Sequence, residues 1–355
     1  MAVEPLCIMK NILVTGGCGF IGSNFVHHVY NKYPEYRIYV LDALTYAGNL
    51  ENLEDIEKKE LAIPEDKSRY VFVKGDVSDE ELLESLFEKH QFAHVFHFAA
   101  ESHVDRSFFN FSNFVRTNFE GALLLALMVQ RFGGEMVHIS TDEVYGSIPE
   151  ALGFVKEDAP FLPANPYASS KAAADMLLQT MMKTSTVPVR IVRATNNFGP
   201  FQYPEKLIPL VITNLLEEKK IPLHGSGEHL RQWIHVNDMC SAIDMVAHNG
   251  EKNGIYNIAG EHESNINVLK KVAEILGKNL EAYLERVPDR PNADMRYAID
   301  SSKLEKLGWK RQHTFEKELP EVVKWYSDHE EWWRKLKRKK EYAMHYELQA
   351  KAKYF

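Results

Sequence analysis

Short apolar runs alternate with amphipathic stretches over roughly the first 195 residues of the chain. Apolar runs that end at glycine or polar residues are typical of strands buried on both faces of a parallel sheet, and amphipathic stretches between them are typical of helices. This alternation predicts the α/β class with a doubly wound parallel sheet. The predicted strands are residues 11–15, 37–42, 70–73, 95–98, 136–140 and 189–193, and the predicted helices are residues 21–31, 80–89, 112–130 and 166–184.

The pattern changes after Thr195, where prolines and glycines become frequent. We interpret residues 233–236 and 254–258 as further strands of the first lobe, and residues 265–276 as a helix of a smaller C-terminal cap. The basic run at residues 334–340 is interpreted as a solvated helix face. The predicted division is a first lobe of residues 9–196 and 233–260, a cap of residues 197–232 and 261–331, and a charged tail of residues 332–355.

Composition and charge exclude several classes of partner. The 355 residues carry a formal net charge of −8, so no overall positive field attracts nucleic acid. No apolar run reaches the roughly 18 residues that a membrane helix needs, and the first ten residues are too polar for a signal peptide. The three cysteines are widely spaced, which favours neither a zinc site nor a disulfide framework and fits a reducing compartment. We therefore expect a cytoplasmic protein without a metal.

Three glycines follow the first predicted strand directly and open the first predicted helix. Gly16, Gly19 and Gly22 form a G-x-x-G-x-x-G loop, in which the backbone can approach a pyrophosphate closely at a helix N-terminus. Asp42 ends the second predicted strand, 20 residues beyond Gly22. A carboxylate at that position accepts hydrogen bonds from an adenosine ribose and repels a 2′-phosphate. The alternative is a tight structural turn, but the placement predicts NAD as the cofactor rather than NADP.

A tyrosine and a lysine begin a predicted helix together. Tyr167 and Lys171 form Y-x-x-x-K after Pro166, and the i, i+4 spacing places both side chains on one helix face. Since an unperturbed tyrosine has a pKa of about 10, it needs nearby positive charge to act as a base at neutral pH. The Lys171 ammonium and a nicotinamide cation would supply that charge. Tyr167 would then take a proton from a sugar hydroxyl while a hydride leaves for NAD.

Two carboxylates follow the fifth predicted strand. Asp142 and Glu143 come directly after Thr141, and oxidation of C4 of a hexose would make its C5 proton acidic enough for Glu143 to remove. A protonated Asp142 would donate to the departing C6 hydroxyl, provided that the two environments separate the pKa values of the two acids. Neighbours on a regular strand point to opposite faces, so both acids serve one site only if the strand has ended there. The alternative is a helix capping box formed by Ser140 and Glu143.

The spacing of the glycines resembles that of the extended branch of the short-chain dehydrogenase/reductase superfamily. In that superfamily the catalytic hydroxyl stands at the end of the fifth strand, which here is Thr141. The resemblance implies that the first lobe is an NAD-binding Rossmann domain. It implies the catalytic residues Thr141, Asp142, Glu143, Tyr167 and Lys171, and cofactor contacts from Gly16, Gly19, Phe20, Ile21, Gly22, Asp42, Asp76, Val77, Phe98, Ala99, Ala100, Tyr167 and Lys171.

Longer segments narrow the resemblance. Residues 10–325 are similar to the dTDP-glucose 4,6-dehydratases, through segments such as A-A-E-S-H-V-D-R-S (99–107), S-T-D-E-V-Y-G (140–146), N-P-Y-A-S-S-K (165–171) and G-S-G-E-H-L-R-Q-W (225–233). This resemblance implies a lyase that acts on a nucleotide-sugar, a cap that binds that substrate, and a homodimer that pairs helices 112–130 and 166–184. The implied substrate contacts are Ser102, Thr141, Asn196, Lys206, Arg231, Asn265 and Arg290.

One departure from the family pattern concerns the nucleotide. The family commonly has a histidine at the position of Ala293, and the related UDP-glucose 4,6-dehydratases share most of the catalytic segments. A UDP-glucose 4,6-dehydratase therefore stays an alternative, and so does a nucleotide-sugar 4-epimerase, against which the Asp142 and Glu143 pair argues. A further hypothesis is a non-catalytic NAD-sensing module, which would have no need of Thr141, Tyr167 and Lys171.

Overall fold

The computed structural model describes residues 9–185, 187–289 and 292–343, and these contain twelve β-strands. Each run of apolar residues predicted from the first 193 positions forms a strand. The strands are β1 (Lys10–Thr15), β2 (Tyr36–Asp42), β3 (Tyr70–Lys74), β4 (His94–His97), β5 (Glu135–Thr141), β6 (Val189–Ala194), β7 (Asn196–Phe198), β8 (Ile221–His224), β9 (Leu230–His235), β10 (Ile255–Ile258), β11 (Glu261–Ser264) and β12 (Leu284–Val287).

The helices of the described residues follow the predicted amphipathic stretches closely in the first half of the chain. Residues 111–132 are helical throughout and include a π-helical turn (Val115–Glu120). The α-helices are α1 (Phe20–Lys32), α2 (Glu54–Glu60), α3 (Glu80–His90), α4 (Val104–Phe109), α5 (Phe111–Phe114), α6 (Gly121–Phe132), α7 (Pro166–Thr184), α8 (Leu207–Leu216), α9 (Val236–Asn249), α10 (Asn265–Ile275), α11 (Leu280–Tyr283), α12 (Ser302–Glu305), α13 (Phe315–Asp328) and α14 (Glu330–Lys337).

A seven-stranded parallel sheet in the order β3-β2-β1-β4-β5-β6-β10 forms the centre of the molecule. One hydrophobic core joins it to α1 and α9, and a second core joins its other face to α3, α6 and α7. The predicted doubly wound α/β fold is therefore confirmed. The strand order reverses between β1 and β4, and ligands of such sheets bind beyond the carboxyl ends of the strands at that position.

A smaller unit with its own core packs beside the large sheet. It contains the three-stranded sheet β11-β9-β7, the parallel pair β12 and β8, and helices α8, α10 and α13. Phe198, Trp233 and Phe315 meet within this core. This unit lies where the sequence predicted the cap, although its segments alternate along the chain with parts of the larger unit.

The interpretation of residues 233–236 as a strand of the first lobe is wrong. Strand β9 pairs with β7 and β11 in the small sheet, and Val236 already begins α9. The edge of β6 is occupied by β10, which confirms the other predicted strand at residues 254–258. Since Trp233 packs in the cap core and Ile234 in the core of the large sheet, β9 is buried on both faces and shows the same apolar pattern as a central strand.

The interpretation of the basic run at residues 334–340 as a solvated helix face is also only partly right, because the helix that carries it buries one side. Trp332, Trp333 and Leu336 of α14 are buried in the cap core. The side chain of Lys337 is 8% exposed, and its ammonium bonds to the carboxylate of Glu217 at 2.6 Å. Residues 332–343 therefore belong to the folded cap, because their tryptophans bury one face of the helix while only part of the basic run faces solvent. Within the described residues, no helix is both long and apolar enough to cross a membrane.

Candidate active site

A cleft lies beyond the carboxyl ends of β1, β2, β4 and β5, where the strand order reverses. It has two connected arms that share Ser102, Glu143, Asn196 and Lys206. The first arm is lined by every residue that the sequence predicted to contact the cofactor and by the whole predicted catalytic set. These residues are Gly16, Gly19, Phe20, Ile21, Gly22, Asp42, Asp76, Val77, Phe98, Ala99, Ala100, Thr141, Asp142, Glu143, Tyr167 and Lys171.

The glycine loop is shaped by close approaches that exclude side chains. Gly16 has a φ of +68°, and a Cβ atom there would lie 2.6 Å from the backbone nitrogen of Ala99. A Cβ atom on Gly22 would lie 2.2 Å from the carbonyl oxygen of Gly16. Gly19 caps α1 without a side-chain hydrogen bond, so the helix begins with backbone alone facing the first arm. A helix start of this kind binds anionic groups through its backbone N–H groups and partial positive charge.

Asp42 lines the first arm at the end of β2. Its carboxylate accepts hydrogen bonds from the backbone N–H groups of Cys18 at 2.9 Å and Leu44 at 2.8 Å. Burial nevertheless raises the pKa of this carboxyl above its usual value. The side chain thus ties the glycine loop to the end of β2 and faces the cleft where the sequence predicted a ribose contact.

The strand β5 ends at Thr141, and Asp142 to Tyr145 form a 3₁₀ turn. The backbone N–H of Glu143 donates to Thr141 Oγ1 at 3.3 Å, and the Thr141 hydroxyl donates to Asp142 Oδ1 at 3.3 Å. Because the pleat has ended, both carboxylates face the first arm. The capping residue is Thr141 and not Ser140, so the structure does not contain the capping box that was the alternative interpretation.

Burial disfavours the ionised form of both Asp142 and Glu143. Burial, followed by the charge of Glu143, holds the pKa of Asp142 well above its usual range. Burial also raises the pKa of Glu143, while the hydrogen bond from Asn165 Nδ2 at 3.1 Å opposes that shift. Asp142 therefore favours the protonated form more strongly than its neighbour, which is the separation that an acid and base pair requires.

Helix α7 presents Tyr167 and Lys171 to the same arm. Asn165 caps the helix by accepting the N–H of Ala168 at 2.8 Å, and Pro166 occupies the first helical position. Lys171 Nζ donates to the carbonyl of Ile139 at 2.6 Å, and burial lowers the pKa of this lysine to about 8. The surrounding protein groups raise the pKa of Tyr167, first through burial and then through Glu143. The predicted lowering of this pKa thus depends on charge that a bound cofactor brings.

The second arm contains most of the residues that the sequence predicted to contact the substrate. Ser102, Asn196, Lys206, Arg231 and Asn265 all line it. Arg231 is fixed by donating to the carbonyls of Leu230 and Asp294, and its guanidinium lies 4.3 Å from the ring centre of Tyr297. Lys206 Nζ donates to the carbonyl of Ser102 at 3.0 Å. Arg290 lies outside the described residues.

Sequence reasoning missed several residues of the cleft. Asn165 was part of a motif but was not recognised as a partner of Glu143; its position before Pro166 signals a helix cap, and only the fold brings its amide to the acid. Tyr46 lies in the first arm beneath the guanidinium of Arg106, at 4.1 Å. Arg106 also bonds to the buried Glu205 at 3.1 Å.

The protein-family model described as GDP-mannose 4,6 dehydratase matches residues 13–322 of the chain. The chain is 42% identical over 333 residues to a curated dTDP-glucose 4,6-dehydratase of Streptomyces niveus, a match that covers 92% of this chain and 95% of the relative. It is 39% identical over 355 residues to the enzyme of the same name from Escherichia coli, covering 92% and 96% of the two chains.

Two solved structures are similar to the chain over nine tenths of its length. The structure of dTDP-glucose 4,6-dehydratase from Bacillus anthracis in complex with NAD is 44% identical, with a TM-score of 0.83, and the match covers 92% of this chain and 99% of that one. The UDP-glucose 4-epimerase of Thermus thermophilus in complex with NAD is 28% identical, with a TM-score of 0.80 and coverage of 90% and 100%.

Proposed function

The chain belongs to the dTDP-glucose 4,6-dehydratase family, and on that premise we propose that it is an NAD-dependent lyase that converts dTDP-glucose to dTDP-4-dehydro-6-deoxyglucose with loss of one water. The observation that carries this proposal is the turn after β5, which directs Asp142 and Glu143 into the same arm as Tyr167. A nucleotide-sugar enzyme that only oxidises and reduces C4 has no use for a second acid and base at this place.

NAD fits the residues of the first arm. The backbone-only start of α1 and the close packing of Gly16 and Gly22 leave a cradle for a pyrophosphate. The Asp42 carboxylate lines the same arm, where it would accept hydrogen bonds from an adenosine ribose. Asp76, Val77, Phe98, Ala99 and Ala100 form the neighbouring wall. When bound, NAD would accept a hydride from C4 of the sugar and later return it to C6.

Tyr167 is the proposed base for the C4 hydroxyl, with Thr141 as its hydroxyl partner. The protein groups around Tyr167 disfavour its phenolate form. A bound nicotinamide cation, together with the Lys171 ammonium one helical turn away, would favour that form. As Tyr167 takes the O4 proton, C4 becomes a ketone, and the proton on C5 becomes acidic because the resulting carbanion is delocalised into that ketone. The residues thereby prepare the elimination.

Elimination then uses the two carboxylates. Glu143, held by Asn165, takes the C5 proton, while protonated Asp142 donates its proton to the C6 hydroxyl, so that water leaves and a C5–C6 double bond forms. After C6 has been reduced, Glu143 returns a proton to C5. The sum is loss of one water from the sugar, and C4 remains a ketone.

The proposed cap binds the rest of the nucleotide-sugar in the second arm. Lys206 and Arg231 supply positive charge there, and Asn196 and Asn265 supply amide groups. We propose that Arg231 binds a diphosphate oxygen, since a guanidinium recognises such oxygens with paired N–H groups. The bounds proposed for the NAD-binding lobe and the nucleotide-sugar-binding cap are those predicted from the sequence, changed at β9, at residues 332–343, and at Leu304 and Trp309, which pack in the core of the large sheet.

A panel of nucleotide-hexoses, with products weighed by mass spectrometry, tests the proposal. We expect dTDP-glucose to lose one water and to yield a 4-keto sugar, with deuterium entering C5 from heavy water. An equal or faster reaction of UDP-glucose would favour the alternative substrate, and isomerisation to the galactose form without C5 exchange would favour the epimerase. No water loss from any dTDP-, UDP-, GDP- or CDP-hexose would contradict the proposal.

We propose further that the chain acts as a cytoplasmic homodimer. Exposed apolar side chains lie on the helices that the family resemblance assigns to the dimer interface, where a monomer gains nothing from exposing them. Leu127 on α6 is 38% exposed and Met176 on α7 is 58% exposed, while Leu123 is partly buried in the core. The nearby Phe109, Phe111 and Val115 are 44%, 48% and 39% exposed.

A further inference from the structure

The second arm is bordered by a tight turn between β8 and β9 that ends at His229. Gly225 and Gly227 adopt φ values of +56° and +79°, which favour glycine. The turn is tied to the start of α10, because the N–H of Ile266 donates to the Gly227 carbonyl at 2.9 Å and that of Asn265 donates to the His229 carbonyl at 3.1 Å. His229 is therefore held by its backbone in a fixed position beside the cleft.

The His229 side chain is only 4% exposed, yet its ring lines the second arm. Its Nε2 atom lies 2.9 Å from Oδ2 of Asp289, a distance at which charges attract. The two groups are not aligned as a hydrogen bond, and Nε2 is buried without a hydrogen-bond partner among the described residues. A buried nitrogen without a hydrogen-bond partner lowers the stability of the fold unless a ligand accepts a hydrogen bond from it.

His229 and Arg231 lie two positions apart on the extended chain that leads into β9, so their side chains project to the same side. That side is the second arm, which both residues line together with Lys206. Ala293 also lines this arm and presents only a methyl group where the family commonly has a histidine, whereas His229 brings an imidazole to the same arm.

We propose that His229 is a substrate-binding residue that donates a hydrogen bond from Nε2 to the diphosphate of the nucleotide-sugar. The inference rests on the proposed function, because that function places the sugar at Glu143 and Tyr167 and so places the diphosphate next along the cleft. Arg231 and His229 then contact the same phosphates from one edge. The negative charge of a phosphate oxygen strengthens a hydrogen bond that it accepts from an imidazole N–H.

Binding of dTDP and of thymidine to the NAD-loaded protein, measured by titration calorimetry, tests this proposal. His229→Ala should weaken dTDP binding by at least about tenfold, as expected for a bond to a charged group, and leave thymidine and NAD binding unchanged. His229→Asn keeps a side-chain N–H donor and should recover part of the loss. The matched control is His262→Ala, which removes a cap imidazole that bonds instead to the Tyr297 carbonyl.

With dTDP-glucose as substrate, His229→Ala should raise KM by a similar factor and leave kcat within about twofold, because the contact is made equally before and during the reaction. Unchanged dTDP binding in folded His229→Ala would overturn the proposal, and so would an equal loss of thymidine affinity or a wild-type protein that binds no dTDP. If wild type binds dTDP in a His229-dependent way but does not turn over dTDP-glucose, the proposed function fails and the contact stands.

Discussion

The side-chain amide of Asn165 joins two parts of the active site, since its Nδ2 donates to Glu143 Oε2 at 3.1 Å while its Oδ1 caps α7. One residue thus starts the helix that carries Tyr167 and fixes the carboxylate proposed to take the C5 proton. The position of the base and the position of the tyrosine are therefore set by the same side chain.

Separating the two roles of Asn165 gives the first prediction. Asn165→Ser keeps a capping oxygen but removes the amide donor, whereas Asn165→Ala removes both. We expect both variants to lower kcat by about tenfold or more, since a misplaced base loses rate steeply. Only the alanine variant should also lose about 1 kcal/mol of unfolding free energy. Wild-type turnover by Asn165→Ser, followed in the same assay, would show that Glu143 needs no support from the amide.

Glu143→Gln should prevent dehydration while the protein still binds NAD. Loss of a general base commonly lowers kcat by about 10²- to 10⁴-fold. The measurement is incorporation of solvent deuterium at C5 together with product formation, and both should fall together. Glu150→Gln, which changes an exposed acid in a neighbouring turn, is the control and should behave as wild type. Undiminished C5 exchange in Glu143→Gln would assign the base to another group.

The pH dependence of turnover should report Lys171. Burial lowers its pKa to about 8, so the ammonium is present below that pH and is lost as the pH rises through it. We expect kcat to fall on the alkaline side of pH about 8, because the neutral amine no longer favours the Tyr167 phenolate. Lys171→Arg keeps its charge over this range, so any residual activity of this variant should begin to fall only at a higher pH. An identical alkaline limb in the arginine variant would exclude Lys171 as its origin.

Replacing the exposed apolar side chains of α6 and α7 by charges should dissociate the proposed dimer. Leu127→Asp combined with Met176→Asp places two charges on each copy of the surface, and desolvating them would oppose association. Sedimentation velocity should then give a monomer where wild type gives a dimer. The control is Leu61→Asp, since this leucine is 78% exposed and lies outside both helices. A monomeric wild type would contradict the homodimer itself.

Asp244 should contribute to stability in a pH-dependent way. Its buried carboxylate accepts hydrogen bonds from His28 at 3.0 Å and Tyr33 at 2.8 Å and pairs with Lys32, which ties α9 to α1. Together with the imidazole of His248, which lies 2.9 Å from Oδ1, these bonds hold the pKa of Asp244 below its usual value despite burial. The stabilisation is therefore complete above the pKa of the unfolded chain, near 4, and is lost as the pH falls through the lower folded value.

At pH 7 we expect Asp244→Asn to lose about 2–3 kcal/mol of unfolding free energy, the scale of hydrogen bonds to a charged group. The difference from wild type should shrink as the pH falls below about 4, because the native carboxylate then also loses its charge. Urea unfolding at a series of pH values measures both effects. A difference that stays constant down to strongly acidic pH would mean that packing, not charge, explains the loss.

Local signals in the sequence were sufficient for much of this protein. Helix α7 has the predicted bounds, residues 166–184, because an asparagine cap and a proline at the first position mark its start. The glycine loop and Asp42 were predicted together, since the loop follows β1 and Asp42 ends β2, two strands whose apolar runs are unambiguous. In each case the residues that determine the local structure are neighbours along the chain.

Tertiary structure decided what depends on contacts between distant segments. The apolar run of β9 looks the same whether it lies in the large sheet or between two cores, and only the pairing with β7 and β11 places it. Burial of Trp333 in the cap likewise turned a basic segment into part of the fold. The hydrogen bond from Asn165 to Glu143 joins residues that are far apart in sequence. The same is true of the second arm, where His229 lies beside residues of other segments. No short-range sequence pattern encodes contacts of this kind.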